Sequence, residues 1–583
     1  MKSKHSMPTT QAPDEPIVFR TLADMPPLPV SLGATLTSKT GSWRYIRPRY
    51  EDKTPPCNHA CPAGNDVVHY IAALRDGHVE AAWHTLIAEN PLPGVCGRVC
   101  PHPCESDCNR GEFGGAIAIR ALERYLADEA AAHGWRPERA AARRPGRIAI
   151  VGSGPAGLSA AYHLARLGYE PTIYEAASQP GGLLRYGIPA YRLPKAVLDR
   201  EIANIESLGV RLALGQRLGD DLSWQELAGM DAVFLALGQG VSRPLGVPGE
   251  GVPGVFAGLD FLRRVAQGEP VQLGRRVLVI GGGNTAMDAA RTAARLGAEV
   301  TVVYRRTQAQ MPAVAEEVAE ARREGITFRF LATPLEVLGS STRVRGLRCQ
   351  EMRLGAPDAS GRSQPEAVPG AELTLDADAV IVAVGQALDE APLAGSSVAI
   401  QSGRIVAGAA AETAAAGVFA GGDAATGEGT VAQAVGSGKR AALAIDHYLR
   451  SGRLAGLPPL YGAAHATERT ASQAIVGAED LNADYIEVAP RPELEGWTPV
   501  SLHGDFGEVN PGLSDAAATR EAERCISCGT CIACDTCLIF CPDVAIARAA
   551  GGRYTIAFDY CKGCGICAKE CPRSAMRMEE EGQ

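Results

Sequence analysis

The sequence predicts a multidomain α/β protein flanked by two cysteine-rich domains, and three observations carry that prediction. Apolar strand-like runs at residues 147–151, 276–280, 299–304 and 379–384 alternate with helical patterns, the signature of doubly wound parallel sheets. Two of those runs lead straight into glycine-rich turns. The 17 cysteines are crowded towards the two ends, outside the α/β region, with a single exception. A chain of 583 residues has room for roughly four domains.

Composition narrows the functional classes. Hydrophobic residues at 46% and charged residues at 21% describe an ordinary globular protein. A net charge of −9 leaves no basic stripe for a phosphate backbone, so a nucleic-acid partner is not expected. Residues 1–16 contain no apolar core of a signal peptide, and no run approaches about 18 apolar residues. A cytoplasmic protein without membrane insertion is expected, and in that reducing compartment clustered cysteine points to metal.

In chain order, residues 1–55 are rich in Pro, Ser and Thr and read as an extended arm. Residues 56–140 carry helical spacing at 67–74, 78–88 and 117–132 around six cysteines, a small helical domain. Residues 141–452 hold the α/β alternation, 453–520 read as a linker, and 521–583 hold ten cysteines.

The run 147–151 enters Gly152-Ser153-Gly154-Pro155-Ala156-Gly157, which opens a helix, and Glu175 ends the next strand. Gly152 allows the tight turn, Gly154 lets backbone approach a pyrophosphate, Gly157 lets helix meet strand, and Glu175 can bond ribose hydroxyls. The alternative is a glycine turn with no ligand. A second fingerprint, Gly281-Gly282-Gly283-Asn284-Thr285-Ala286, follows residues 276–280, and its second strand ends in Tyr304-Arg305-Arg306. No acid stands where Glu175 stood, and two guanidiniums suit a ribose 2′-phosphate, so NADP(H) is favoured and NAD(H) stays possible. Two nucleotide sites suggest a flavin beside a nicotinamide.

The terminal cysteines read Cys531-x2-Cys534-x2-Cys537-x3-Cys541-Pro and Cys561-x2-Cys564-x2-Cys567-x3-Cys571-Pro. This is a two-cluster ferredoxin pattern, in which each run gives three thiolates to one [4Fe-4S] cube and its fourth to the other. Cys531, Cys534 and Cys537 therefore pair with Cys571, and Cys561, Cys564 and Cys567 with Cys541. Zinc is the alternative, but zinc sites use paired cysteines with open loops between them.

The segment Pro93-Gly-Val-Cys-Gly-Arg-Val-Cys-Pro101, both fingerprints, the run Gly181-Gly-Leu-Leu-Arg-Tyr-Gly-Ile-Pro189 and Gly417-Val-Phe-Ala-Gly-Gly-Asp423 resemble the glutamate synthase small-subunit family over about residues 57–450. The resemblance implies an FAD domain in two parts, 141–265 and 389–452, interrupted by an NAD(P)H domain at 266–388. It implies FAD contacts from Gly182, Leu183, Gly187, Gly422 and Asp423, with Thr430 and Val431 beside the isoalloxazine.

The N-terminal cysteines are Cys57, Cys61, Cys96, Cys100, Cys104 and Cys108, too few for two cubes. The family places a Cys-x2-Cys just before the equivalent of Cys57, where this chain has Arg49 and Asp52. The family pattern EA-x-RC-x2-CG instead stands at Glu521-Ala-Glu-Arg-Cys525-Ile-Ser-Cys528-Gly529. Cys525 and Cys528 are thus candidates to fold back and complete a cluster with Cys57 and Cys108, or they are ordinary linker thiols. Cys61, Cys100 and Cys104 would hold a second cluster, with Cys96 or Glu123 as fourth ligand. One or two N-terminal clusters are expected beside the two C-terminal ones. Cys349 reads as a buried small hydrophobe.

No catalytic side chain is expected, because hydride transfer between cofactors needs none. The expected function is NAD(P)H-dependent electron transfer through FAD and [4Fe-4S] clusters, as the electron-input subunit of a hetero-oligomer. Its partner would be of the glutamate synthase, 2-oxoacid oxidoreductase or dissimilatory sulfite reductase type. Residues 40–48, TGSWRYIRP, resemble a segment of the ferredoxin-like subunit of 2-oxoacid oxidoreductases. The alternatives are a freestanding NADPH:ferredoxin oxidoreductase, with soluble ferredoxin as partner, and a redox sensor or scaffold. Glutamate synthesis by this chain alone is not expected, since residue 2 is Lys rather than a nucleophilic Cys.

Overall fold

Two five-stranded parallel sheets organise the α/β region of the computed structural model, which describes residue 21 and residues 39–357, 363–427, 429–457, 474–492 and 502–581. Most of the expected arm and much of the expected linker lie outside the described residues. The chain divides into two units, each discontinuous. One comprises residues 54–475 and 488–526, the other residues up to 53, 476–487 and those from 527 onward.

In the larger unit the first sheet runs Val418–Ala420, Ala232–Leu235, Ile148–Val151, Thr172–Glu175 and Arg211–Leu214, all parallel. Ile148–Val151 and Ala232–Leu235 are buried at all four residues, as strands covered on both faces must be. The strand Val418–Ala420 returns to this sheet after the whole second sheet has been formed, so the second domain is an insertion in the first. That second sheet runs Thr327–Phe330, Glu299–Tyr304, Arg276–Ile280, Ala379–Val382 and Val255–Ala257. The edge strand Val255–Ala257 pairs in register with Val380, Ile381 and Val382, so the second sheet starts before the boundary expected at residue 266. A three-residue run has no periodicity of its own to reveal it. A three-stranded antiparallel sheet, Ala332–Gly339, Val344–Pro357 and Ser363–Asp376, extends this domain.

The helical domain is built on Val67–Arg75, Val79–Glu89, Pro93–Val99 and Ile119–His133. A helix from the expected linker and ferredoxin boundary, Asp515–Glu523, buries Ala518 and Ala522 in the same core as Tyr70, Leu122 and Leu126. The Glu521 carboxylate accepts from the Ala118 N–H at 2.7 Å, and Arg524 donates to the Gly115 carbonyl at 2.6 Å. Residues 515–526 therefore belong with the helical domain, in contrast to the expected ferredoxin start at 521.

In the smaller unit the described end of the arm is a strand. Ile46–Tyr50 pairs antiparallel with Met576–Glu580, from Ile46 opposite Glu580 to Tyr50 opposite Met576. The Pro within IRPRY masks the alternation, and the pairing partner lies over 500 residues away, so composition alone suggested only an extended arm. Short helices Thr536–Ile539 and Ile566–Lys569 and a hairpin, Ile546–Arg548 with Tyr554–Ile556, complete the unit. Among the described residues no helix is long and apolar enough to cross a membrane.

Candidate functional site

At the carboxyl end of Ile148–Val151 the chain turns at Gly152, whose φ of +106° only glycine adopts freely, and enters the helix Pro155–Arg166 with Gly154 as N-cap. A Cβ on Gly157 would strike the Gly152 carbonyl oxygen, so this glycine is the close helix–strand approach. A Cβ on Gly154 would meet nothing within 4 Å. That open position, beside unpaired N–H groups at a helix start, fits a dinucleotide pyrophosphate. Glu175 is buried and already holds the turn: Oε2 accepts from the Ser153 N–H at 2.9 Å and Oγ–H at 2.5 Å, and Oε1 from the Ala177 N–H at 2.8 Å. Oε1, which accepts a single bond, keeps a lone pair for ribose. The Gly181 N–H donates to Ser153 Oγ at 2.9 Å, tying the loop that carries Gly182, Leu183 and Gly187 to the fingerprint.

The second fingerprint repeats the geometry. Gly281 has φ +143°, Gly282 would strike the Tyr304 ring at 2.5 Å if it bore a Cβ, and Gly283 faces open space at the start of Asn284–Arg295. Asn284 Oδ1 accepts from the Val314 N–H at 2.9 Å, and Thr285 Oγ1 accepts from Gln386 at 3.0 Å, so both side chains brace the turn. The two expected clamp residues differ. Arg305 is exposed, whereas Arg306 is buried and its Nε donates to the Ser363 carbonyl at 3.0 Å.

One turn of the helix Val431–Ser451, unrecognised in the sequence, joins three parts of the site. A Cβ on Gly436 would strike the Pro62 carbonyl oxygen, in the loop that follows Cys61. Ser437 Oγ accepts from the Gly422 N–H at 2.9 Å, next to Asp423. A Cβ on Gly438 would strike the Ala156 carbonyl oxygen of the first fingerprint. Lys439, buried, pairs with Glu89 and donates to the Ala63 carbonyl at 3.4 Å. Thr430 caps the same helix by accepting from the Gln433 N–H, with half-buried Val431 following. The only legible hint of this turn was the glycine spacing of Gly436 and Gly438.

Cys61, Cys96, Cys100, Cys104 and Glu123 line one small pocket, which Ala432 of that helix also walls. All five groups are buried. Burial pushes the Cys61 thiol up to about 11 and the Cys100 thiol up to about 12, and raises Cys96 and Cys104 as well. Glu123 is pushed up to about 7 by burial, although Asn65 at 2.7 Å and Tyr70 at 3.3 Å donate to it. So many acidic groups facing one space need positive charge to ionise together, which iron supplies. Cys57 and Cys104 lie in the apolar core of the helical domain, and Cys108 and Cys525 pack against it. Cys528 is buried in the smaller unit.

In that smaller unit Cys541, Cys561, Cys564 and Cys567 line a small cavity together with Pro48. Burial raises the Cys531 and Cys537 thiols, and Cys571 and Cys534 push both further. Among the described residues no three His, Cys, Asp or Glu converge on a single ion; a cube takes one thiolate per iron instead. Cys349 is fully buried in a strand core. Sequence reading missed Tyr50, whose hydroxyl lies 3.0 Å from Cys537 Sγ.

Residues 146–438 match the pyridine nucleotide-disulphide oxidoreductase family. Residues 50–135 match dihydropyrimidine dehydrogenase domain II, 4Fe-4S cluster, and 554–577 match the 4Fe-4S binding domain. The chain is 41% identical over 505 residues to the NADP(+)-dependent formate dehydrogenase subunit beta of Moorella thermoacetica, covering 82% of this chain and 70% of that protein. It is 39% identical over 522 residues to the NADPH-Fe(3+) oxidoreductase subunit beta of Geobacter sulfurreducens, covering 82% and 76%. It is 37% identical over 418 residues to the glutamate synthase [NADPH] small chain of Escherichia coli, covering 68% and 89%. Among solved structures, Mycobacterium tuberculosis FprA in complex with NADPH is similar at 21% identity and TM-score 0.47, covering 53% of this chain and 86% of that one.

Proposed function

The chain belongs to the pyridine nucleotide-disulphide oxidoreductase family, and from that premise we propose that it is the electron-input subunit of a cytoplasmic hetero-oligomer, linking NADPH to a partner catalytic subunit. The carrying observation is the turn Gly436–Lys439, which touches the first fingerprint, the Gly422–Asp423 loop and the loop after Cys61. Three relatives whose names end in subunit beta or small chain support the subunit reading. When bound, FAD accepts the two electrons of a nicotinamide hydride, and each [4Fe-4S] cube carries one electron onward.

The residues divide the work. Gly152, Gly154 and Gly157 shape the FAD phosphate cradle, Glu175 fixes its turn, and Thr430 and Val431 open the helix beside the cysteine cavity. Gly281 and Gly283 shape the NADPH cradle. Cys61, Cys100 and Cys104 hold one cube with Cys96 or Glu123; of the four thiolates expected at another, Cys57, Cys108 and Cys525 share the larger unit, while Cys528 falls in the smaller. The C-terminal thiols hold two more. The chain's task throughout is to hold and space the groups, and no side chain need exchange a proton with substrate.

The test is anaerobic purification of the tagged chain from its host, with mass spectrometry of what accompanies it. A stoichiometric catalytic partner is expected. A solitary chain that reduces soluble ferredoxin with NADPH would instead make it a freestanding reductase.

Two further outcomes follow from the placement of single residues. Arg305→Ala should raise the KM for NADPH about tenfold, the loss of one charge-assisted phosphate contact, and leave that for NADH unchanged. Equal changes for both nucleotides would remove Arg305 from the phosphate site. Cys525→Ser should lower chemically determined iron by about four per chain, from about sixteen. An unaltered iron content would return Cys525 to the status of a linker thiol.

A further inference from the structure

Tyr50 is the last residue of the strand Ile46–Tyr50, and its position is fixed from three sides. Its backbone is in register with Met576 of the closing strand. Its ring stacks on Tyr554, with centroids 5.9 Å apart and planes inclined by 18°. Its hydroxyl lies 3.0 Å from Cys537 Sγ. A phenol O–H can donate, whereas a thiolate bound to iron can only accept, so with iron in place the direction of this bond is set. The Tyr554 hydroxyl is engaged elsewhere, donating to Asp535 Oδ1 at 2.8 Å and accepting from the Asp535 N–H at 2.8 Å. It cannot replace Tyr50 at the sulfur.

The same strand treats the other ferredoxin site differently. There Pro48 lines the cavity of Cys541, Cys561, Cys564 and Cys567, and a proline side chain has no proton to give. Local donors exist at both sites, since the Ala545 N–H reaches Cys541 Sγ at 3.3 Å and Thr536 Oγ lies 3.3 Å from Cys534 Sγ. Tyr50 is thus an added donor at one site, brought by a strand that is remote in sequence.

We propose that Tyr50 is a positioning residue for electron transfer that raises the reduction potential of the cube held by Cys531, Cys534, Cys537 and Cys571 and leaves its neighbour unchanged. A hydrogen bond to a ligand sulfur stabilises the reduced cube, which carries one more negative charge than the oxidised one. Electrons entering the smaller unit settle on the Tyr50 side, and the arm separates two cubes that their shared ligand pattern would otherwise leave alike. The inference rests on the iron–sulfur reading of the C-terminal thiols.

The experiment is a redox titration of the anaerobic full-length protein, followed by electron paramagnetic resonance, comparing wild type with Tyr50→Phe. Phenylalanine keeps the ring stack and removes only the donor. At the potential that half-reduces this cube in wild type, the reduced-to-oxidised ratio in Tyr50→Phe should be about tenfold lower, the worth of one hydrogen bond to a charged group. The other cube's midpoint and the iron and sulfide per chain should not change. Tyr45→Phe, at the residue before the same strand and 77% exposed, should shift neither midpoint. Unchanged midpoints at full iron content would overturn the proposal, as would loss of about four irons per chain, which would make Tyr50 a structural support. Absence of cluster signals from wild type would instead overturn the iron–sulfur reading itself.

Discussion

Gly154→Val is expected to yield a chain that folds like the wild type and contains no flavin, while Gly157→Val is expected to damage the fold itself. Both substitutions fall in the same six-residue fingerprint, yet the space around them differs. The Cβ of residue 154 would enter an empty region, and its φ of −66° with ψ of 178° suits a β-branched residue. The added methyl groups therefore occupy only the place where phosphate must come within hydrogen-bond reach of backbone N–H groups. Affinity for FAD should fall by a hundredfold or about that, enough to lose the cofactor during purification. At residue 157 the new atoms collide with the Gly152 carbonyl at the crossing of helix and strand. Overpacking of that kind costs about 3 kcal/mol and should lower Tm as well as flavin content. Flavin absorbance and thermal unfolding of the two purified variants decide the matter, and flavin retained in Gly154→Val would place the phosphate elsewhere. Gly283→Val, at an equally open position in the second fingerprint, should lose flavin reduction by NADPH and retain FAD.

The second large effect concerns the crossed ligands of the smaller unit. Cys541→Ser should abolish the same cluster signal as Cys561→Ser, although Cys541 sits in the run with Cys537. Cys537→Ser should abolish the other signal. Each variant is expected to lose about four irons per chain. Reduction of the flavin by NADPH should persist in all three, since the flavin cradle lies wholly in residues of the larger unit. Identical signals lost in Cys541→Ser and Cys537→Ser would mean that each run closes its own cluster. The shared cavity of Cys541 with Cys561, Cys564 and Cys567 is what makes the crossed outcome the expected one.

How much of this could be read from sequence depended on how local the determining contacts are. The fingerprints were legible because strand, turn and helix follow one another within about a dozen residues and each glycine has a steric reason to be there. The 4Fe-4S character of the C-terminal region was legible for a similar reason, since cube geometry dictates the short spacings. The segment carrying the family motif at Glu521–Cys525 packs on the helical domain through Glu521 and Arg524. Arg306 was read as a clamp equal to Arg305, and its buried Nε–H bond was not legible, because the carbonyl acceptor, Ser363, lies on a strand 57 residues further on. The Gly436–Lys439 turn and the Tyr50 hydroxyl were invisible because their partners at Pro62 and Cys537 are hundreds of residues distant. Contacts of that range leave no periodicity behind.

The pairing of Ile46–Tyr50 with Met576–Glu580 also dictates a timetable for biosynthesis. A ribosome adding about 5–20 residues per second needs roughly half a minute to two minutes to travel from one strand to the other. Throughout that interval the nascent arm has no mate, while both nucleotide sheets, whose last strand is Val418–Ala420, can already close. The last relay in the molecule is consequently the last to assemble, and its eight thiols become a finished receptacle for iron only after translation has reached the final strand.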